Sequence, residues 1–239
     1  SHKTDRIGTT MSTTVITGAN RGIGLELARQ CIQRGDKVFA GCRKPDEAPH
    51  LEALQPHSIL PIDVGDEASV LSFSEAIEEP VSLLINNAGT SITNLGFSRD
   101  EVGVMNAPVG LTLDLIRING LSAATVTRSL SERLESGSKV ANITSQIGSM
   151  VVGSKFNDLP YAASKAVMNM VTVQLAAQLE ASGIAVVAFH PGWVRTDMGG
   201  SSADISVEES AQGILSTLET LQPEQSGAFL RWDGSIPPW

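Results

Sequence analysis

Short apolar segments alternate with longer helix-like segments along most of the chain. Apolar runs predict seven strands, at residues 12–17, 37–42, 58–62, 81–86, 139–144, 184–190 and 227–231. Apolar residues at helical spacing predict helices at residues 22–34, 67–77, 111–134, 161–181 and 207–221, the third being one long helix or two fused ones. Strands that are apolar on both faces and alternate with helices are typical of a parallel sheet covered on both sides. The pattern therefore predicts an α/β fold with helices on both faces of such a sheet.

Two stretches lack a repeating apolar pattern and are predicted to be long loops. Residues 90–110 and 192–206 are rich in Gly, Pro and Ser, and long loops in compact domains are often lids or binding loops. No repeat or interdomain linker interrupts the alternation, so residues 11–239 are predicted to form a single domain. Residues 1–10 are polar and precede Met11, and they are interpreted as an expression-tag remnant.

The composition narrows the classes of function. The chain has 239 residues, is 41% hydrophobic, and carries a formal net charge of −9 with a pI near 4.9. This acidity argues against nucleic-acid or anionic-membrane partners, because both require clustered Lys and Arg. The longest apolar runs, such as residues 184–189, are too short to cross a bilayer. Two scattered cysteines and four scattered histidines show no metal-ligand spacing and suit a reduced protein, so we expect a cytoplasmic location and no metal.

A glycine-rich turn follows the first predicted strand and opens the first helix. Gly18 permits a tight turn, Gly22 removes a Cβ where backbone would approach a pyrophosphate, and Gly24 lets helix and sheet pack closely. The helix N-terminus then offers N–H groups and a partial positive charge to phosphates. Such a turn alone is a weak signal, but its place between strand and helix predicts dinucleotide binding.

The end of the second strand indicates which dinucleotide is bound. An acidic residue there would read the ribose of NAD, but the chain continues with Arg43 and Lys44. Arg43, assisted by Arg21, could bind an adenosine 2′-phosphate, so NADP(H) is predicted over NAD(H). The alternative is that Arg43 and Lys44 are solvated loop charges. Asp63, after the third strand, could accept a hydrogen bond from the adenine amino group or could cap a helix.

Tyr161, the only tyrosine, and Lys165 are four residues apart and would share one helix face, with Ser145 at the end of a strand before them. A phenol titrates near 10, and a neighbouring cation lowers its pKa. We therefore expect Lys165 to lower the pKa of Tyr161 and make it a general acid or base. The alternative is a chance pair on a helix face.

Together these residues identify the chain as similar to the short-chain dehydrogenase/reductases, over residues 11–239. Residues 17–24 match the family's TGxxxGxG turn, residues 86–89 its NNAG motif, and residues 191–192 its PG motif. The resemblance assigns the catalytic tetrad to Asn119, Ser145, Tyr161 and Lys165, and a nicotinamide carboxamide contact to Thr196. Residues 190–200 and 234–239 look like those of C-factor and sniffer-like carbonyl reductases.

The resemblance implies a doubly wound sheet of about seven parallel strands, in three α/β/α layers, with the cofactor at the carboxyl ends. Tyr161 would exchange the substrate proton, Ser145 would donate a hydrogen bond to the carbonyl oxygen, Lys165 would hold the nicotinamide ribose, and Asn119 would hold a water. The implied cofactor-binding residues are Gly18, Asn20, Arg21, Gly22, Ile23, Gly24, Arg43, Asp63, Val64, Asn87, Ala88, Gly89, Tyr161, Lys165, Pro191, Gly192, Val194 and Thr196.

Structural alternatives stay open for several of these residues. Thr144 could replace Ser145 as the active hydroxyl, Asn119 could be a helix-kink residue, and Asn86 and Asn87 could simply tie turns together. The spacing from Ser145 to Tyr161, 16 residues, is a few more than is common in the family, and residues 153–158 could form a flap beside the substrate.

The implied activity is NADPH-dependent reduction of a ketone or aldehyde, or oxidation of the corresponding alcohol. Apolar residues in the loops suggest a modestly hydrophobic small-molecule substrate. The rival hypothesis is a cofactor-binding regulator or signalling protein without turnover. By family analogy the chain forms a homodimer through the helices at residues 111–134 and 161–181, or a tetramer.

Overall fold

Seven parallel strands form a single sheet in the computed structural model, which describes residues 11–239. The strands are β1 (Thr13–Thr17), β2 (Lys37–Cys42), β3 (Ser58–Pro61), β4 (Val81–Asn86), β5 (Leu134–Ile143), β6 (Ala185–His190) and β7 (Phe229–Arg231). Their spatial order is β3-β2-β1-β4-β5-β6-β7. The order reverses between β1 and β4, and ligands of such sheets bind outside the carboxyl ends at that point. The expression-tag interpretation concerns residues 1–10, which lie outside the described residues.

Helices cover both faces of the sheet. They are α1 (Gly22–Gln33), α2 (Pro49–Glu52), α3 (Glu67–Glu75), α4 (Val109–Leu115), α5 (Ser122–Ser129), α6 (Leu159–Leu179) and α7 (Val207–Thr220). One apolar core packs α1 and α7 on the sheet through residues such as Leu27 and Ile214. A second packs α3, α5 and α6 on the other face through Val70, Val126 and Ala176. The predicted doubly wound three-layer fold is therefore confirmed.

The predicted helix at residues 111–134 ends too late. Helix α5 ends at Ser129, a short 3-10 turn follows at Ser131–Arg133, and β5 begins at Leu134 rather than at residue 139. Leu134 is buried against the sheet and pairs with Val81, and the pairing then shifts before Leu83. The error has a physical reason: Leu130 and Leu134 have helical spacing, but Leu134 pairs with Val81 of β4 and is buried in the second core.

A π-helical segment, Ile116–Leu121, joins α4 to α5 and was not predicted. The joined helix, Val109–Ser129, is long and apolar enough by length and composition to cross a membrane. In the structure, 39% of its most apolar window is buried. This helix packs against α6 here. The sequence-based statement that every apolar run is too short therefore overlooked one helix.

Candidate active site

The glycine turn lies where β1, α1 and the turn after β4 meet. Gly18 and Gly22 have positive φ angles of 67° and 54°, which residues with a Cβ rarely adopt. A Cβ on Gly18 would lie 2.7 Å from the Cα of Ala88, and a Cβ on Gly24 would overlap the carbonyl oxygen of Gly18. Asn20, half-buried, and Arg21, exposed, complete the turn, and Ile23 packs partly against the α1–α7 core.

Thr17 fixes the turn after β4, a role that the sequence analysis missed. Its Oγ1 accepts hydrogen bonds from the backbone N–H groups of Asn87 and Ala88, both at 3.1 Å. The Asn87 side chain donates back to the carbonyl oxygens of Thr17 and Gly18 at 3.2 and 3.1 Å. A threonine at the end of a strand beside a glycine turn is the only sequence signal for this contact.

Asn86 is buried, and its side-chain amide donates to other side chains of the fold. Its Nδ2 donates to Asn142 Oδ1 at 2.8 Å and to Thr127 Oγ1 at 3.2 Å. Asn142 in turn donates to Thr172 Oγ1 at 2.9 Å. These bonds link α5, β4, β5 and α6 in one polar chain, so Asn86 joins strands and helices rather than turns.

Asn119 is fully buried in the π-helical segment and ties two elements together. Its Oδ1 accepts from the Thr90 N–H at 2.8 Å, and its Nδ2 donates to the Thr90 carbonyl at 2.9 Å and to Ser164 Oγ at 3.2 Å. A Cβ on Gly89 would lie 3.2 Å from Asn119 Oδ1 and 3.9 Å from Lys165 Nζ. Asn119, Gly89 and Lys165 are therefore neighbours, and irregular helical turns of this kind occur often at functional sites.

Lys165 is buried, and its ammonium lies beneath the ring of Tyr161. Its Nζ donates to the carbonyl oxygen of Ile143 at 2.9 Å and lies 5.6 Å from the centre of the Tyr161 ring. Burial lowers the pKa of Lys165 to about 8. Burial, with a smaller contribution from the Asp158 carboxylate, raises the pKa of Tyr161 to about 12.

The prediction that Lys165 lowers the pKa of Tyr161 is wrong for this structure. Burial disfavours the charged form of each group and is the largest cause of both pKa shifts. The ammonium is engaged by the Ile143 carbonyl and faces the ring rather than bonding to the phenol. Tyr161 is therefore a neutral phenol at neutral pH.

Ser145 and Thr144 end β5 with different surroundings. Ser145 is extended, and its Oγ accepts a hydrogen bond from the Ile147 N–H at 3.2 Å. Thr144 Oγ1 donates to Asn169 Oδ1 at 2.7 Å and faces the Lys165 carbonyl at 3.3 Å, so its hydroxyl joins β5 to α6. Of the two hydroxyls, that of Ser145 donates to no other group within residues 11–239.

The start of α6 is set by Asp158, which the sequence analysis did not single out. Its Oδ1 accepts from the Tyr161 N–H at 3.1 Å and caps the helix. Tyr161 packs against an apolar cluster built by the loop at residues 90–110 and by α4, whose members are Ile92, Val102, Leu111 and Leu115. Asp followed by Pro160 at the second helical position was the available signal.

The charged residues predicted at the adenosine end lie on the surface. Arg21 and Arg43 are exposed, and within residues 11–239 neither lies within ion-pair distance of a carboxylate, whereas Lys44 pairs with Glu47 at 2.9 Å. Asp63 is exposed and accepts from the Gly65 N–H at 2.9 Å. Asp66 rather than Asp63 caps α3, so the helix-cap alternative for Asp63 is wrong. Val64 is half-buried beside it.

The loop after β6 comes back to the glycine turn. A Cβ on Gly22 would lie 3.5 Å from Thr196 Cγ2, so Gly22 and Thr196 are neighbours. Pro191 is fixed by a hydrogen bond from Ser210 Oγ to its carbonyl at 2.6 Å. Gly192 has a φ of 90°, and Val194 is buried and bridges to Ile205.

The residues present fit a dinucleotide. A Cβ on Gly18 or Gly24 would collide with protein backbone, so these two glycines let the turn pack closely on its neighbours, whereas a Cβ on Gly22 would meet only Thr196, at 3.5 Å. The first turn of α1 begins there and presents N–H groups without partners inside the helix. Lys165, Asn119, Gly89 and Thr196 line the same edge of the sheet, at the carboxyl ends of the strands.

Comparison with known proteins agrees with this architecture. The sequence model of a family described as short chain dehydrogenase matches residues 12–205. The C-signal protein of Myxococcus xanthus is 35% identical over 162 residues, which cover 67% of this chain and 93% of that protein. The NADPH-bound carbonyl reductase from chicken fatty liver superposes with a TM-score of 0.85 at 30% identity, covering 96% of this chain and 99% of that one. The carbonyl reductase Sniffer of D. melanogaster gives a TM-score of 0.87 at 28% identity, covering 96% and 100%.

The buried ammonium of Lys165 should destabilise the fold at neutral pH. A folded pKa of about 8 against 10.5 for the free group corresponds to about 3 kcal/mol, and losing the bond to Ile143 costs about 1–2 kcal/mol. We therefore expect Lys165→Met to raise the free energy of unfolding by about 1–2 kcal/mol at pH 7, measured by urea denaturation.

The sign of the pH dependence is fixed by the same shift. Lys165 binds its proton more tightly in the unfolded chain than in the folded one. The resulting loss in the free energy of unfolding is complete below pH 8 and disappears as the pH rises toward 10.5. The advantage of Lys165→Met should shrink accordingly between pH 7 and pH 10. Lys155→Met, at an exposed position, should change stability by less than about 0.5 kcal/mol. A stability gain that does not depend on pH would contradict this account.

Proposed function

The chain belongs to the short-chain dehydrogenase family, and from that premise we propose that it reduces the carbonyl group of a ketone or aldehyde with NADPH. The observation that carries this proposal is the position of Tyr161 over the buried Lys165 ammonium, 5.6 Å from ring centre to Nζ, at the carboxyl edge of the sheet. A buried cation under a tyrosine is costly to maintain. Catalysis is a reason for the fold to keep it.

Three residues of the tetrad, Tyr161, Ser145 and Lys165, have a direct part in this chemistry. The neutral phenol of Tyr161, whose pKa is about 12, gives a proton to the carbonyl oxygen as negative charge develops there. Ser145 donates a hydrogen bond to the same oxygen. Lys165, whose ammonium lies under the Tyr161 ring, binds the nicotinamide ribose. When bound, the nicotinamide supplies or accepts the hydride.

The protonation state of Tyr161 favours the reductive direction. A phenol with a pKa near 12 is almost wholly protonated at neutral pH, which is the form that reduction of a carbonyl requires. Oxidation of an alcohol needs the phenolate, which is scarce until the pH approaches that pKa. Reduction of a modestly hydrophobic carbonyl compound is therefore the proposed reaction, and its reverse is expected to accelerate with pH.

Support for NADPH over NADH comes from the exposed cations beside β2. Arg21 and Arg43 are exposed, and each is free of carboxylate partners among the described residues, so their donors are available to a 2′-phosphate. The related carbonyl reductase from chicken fatty liver binds NADPH, and that from Pseudomonas aeruginosa forms a complex with NADP.

A cofactor-binding signalling protein is the second candidate. It is favoured by the similarity to the C-signal protein, whose name indicates signalling. A protein of this kind would bind NADPH and turn over no carbonyl compound, so the same measurements separate the two candidates.

A homodimer is also proposed, on the basis of an exposed apolar face. Leu113 and Leu121 on the α4–α5 helix are 59% and 47% exposed, and Met170 and Val173 on α6 are 59% and 41% exposed. These two helices pack side by side, so the exposed residues form one surface that a second copy would cover.

Replacing Tyr161 with Phe removes the proton donor and keeps the ring. We expect kcat for NADPH-dependent reduction of a carbonyl panel to fall by about 10²–10⁴-fold, while the NADPH dissociation constant changes by less than about threefold. Absorbance at the NADPH band and fluorescence titration measure the two quantities. Turnover by Tyr161→Phe close to that of the wild type would refute the proposed role.

Replacing Arg43 with Ala should weaken NADPH binding by about 10–100-fold and leave NADH binding nearly unchanged, because a charge-assisted bond to phosphate is lost. Lys44→Ala is the matched control, since Lys44 is already paired with Glu47. Tighter binding of NADH than of NADPH by the wild type would show that the preference is wrong.

Replacing Leu113 with Glu should convert a dimer to a monomer, because it places a charge at the centre of the apolar face. Leu71→Glu, on α3 and 54% exposed, is the control and should leave the mass unchanged. Sedimentation equilibrium measures both masses. A wild-type protein that sediments as a monomer would exclude this interface.

A further inference from the structure

The segment that follows β7, residues 232–239, turns back over the sheet edge. We call it the return segment. The Arg231 N–H donates to the Ser235 carbonyl at 2.7 Å, and the Gly234 N–H donates to the Arg231 carbonyl at 2.9 Å, so the chain reverses there. Pro237 is buried, whereas Ile236 is 80% exposed. The return segment is therefore anchored at some positions and free at others.

Trp239 packs on the strand it has turned back over. Its ring lies 5.3 Å from the ring of Phe229, centre to centre, with the planes inclined at 37°. Phe229 is 1% exposed and belongs to the rigid end of the sheet, while Trp239 is 44% exposed. An aromatic pair of this geometry contributes beyond the burial of its surface.

The backbone of Trp239 reaches a second element that is far away in the sequence. The Val151 N–H donates to the Trp239 carbonyl at 3.2 Å. Val151 lies in residues 149–156, within the stretch between Ser145 and Asp158. This segment overlaps the flap predicted at residues 153–158 but begins four residues earlier, and from here on residues 149–156 are called the flap. Trp239 thus joins the flap to β7, the strand at the edge of the sheet.

The flap has few other attachments to the core. Met150 is 80% exposed and Val151 is 64% exposed. The flap's internal bonds run mostly to Ser149, from the N–H groups of Val151, Val152 and Gly153. A segment with little buried apolar surface is held weakly and depends on its individual anchors.

The position of the flap matters because of its two ends. It follows Ser145, the proposed carbonyl hydrogen-bond donor, and leads into Asp158, which caps the helix that carries Tyr161. The flap lies between those two residues along the chain, and its Met150 and Val151 are exposed and apolar. A displaced flap would change the wall of a substrate site without touching the glycine turn that would bind the cofactor.

We propose that Trp239 is a positioning residue for substrate: packed on Phe229, it holds the flap through Val151 and so determines how tightly the apolar part of a carbonyl substrate is bound. This inference rests on the proposed carbonyl reduction. It adds a determinant of specificity from a part of the chain remote in sequence from the tetrad.

The test compares Trp239→Ala with Ile236→Ala, a matched truncation in the same segment at a position that is already exposed. Hydrogen exchange of residues 149–156 and tryptic cleavage after Lys155 report on the flap without any substrate. We expect both to accelerate by about tenfold in Trp239→Ala and to stay at wild-type rates in Ile236→Ala. Trp239→Phe, which keeps an aromatic ring on Phe229, should restore most of the protection.

Kinetics with two substrates complete the test. In Trp239→Ala the KM for a bulky apolar ketone should rise by about five- to tenfold, with kcat, the NADPH dissociation constant and the KM for a small aldehyde within about twofold of wild type. Equal exchange, cleavage and KM values in the two Ala variants would overturn the inference. An equal loss of kcat with both substrates would also overturn it, because it would show general destabilisation.

If the wild type reduces no carbonyl compound, the proposed function fails, and the role of Trp239 in substrate binding fails with it. Hydrogen exchange and tryptic cleavage still decide whether Trp239 anchors the flap.

Discussion

The contact between the Lys165 ammonium and the Ile143 carbonyl is the constraint on which the candidate site depends. It places a cation inside the protein, at the end of a central strand. Burying that cation costs free energy, which is why the pKa of Lys165 is lowered. A lysine pointing to solvent would be cheaper, but it could not influence a phenol or hold a ribose. The single carbonyl bond is what keeps the side chain inside, under the Tyr161 ring.

The rest of the fold supplies the surroundings that make this constraint useful. The parallel sheet ends β1, β4, β5 and β6 along one edge, so turns from distant parts of the chain meet there. Short polar side chains then fix those turns: Thr17 holds the turn after β4, and Asn119 holds Thr90. Gly18 and Gly24 let these turns approach one another more closely than residues with a Cβ would. Positioning is achieved mainly by hydrogen bonds to backbone, which define direction more closely than apolar packing does.

The alternation of apolar runs and helices was enough to predict the sheet and the two helical layers, because burial on both faces of each strand leaves a strong signal. The motif residues could also be located, since their order along the chain is distinctive. The end of α5 could not be predicted, because the position of Leu134 in the sequence fits a helix and a strand equally well, and only its tertiary contacts decide between them. The raised pKa of Tyr161 was equally beyond reach: it comes from desolvation by a cluster that Ile92 and Val102 build from a loop without a pattern. Asp158 and Thr17 escaped notice because a single short polar residue carries little information until its partner is known.

The π-helical segment at Ile116–Leu121 has a consequence for how this helix can vary. A π turn takes up about one residue more than an α turn, so it shifts the angular phase of everything after it by about 100°. The half before it aims Leu115 at the cluster around Tyr161, and the half after it aims Val126 at the core under the sheet. Deleting one residue would restore a regular α-helix, but Leu115 and Val126 could then no longer both point at their clusters. The number of residues in this helix is therefore fixed by the two clusters that its halves must reach.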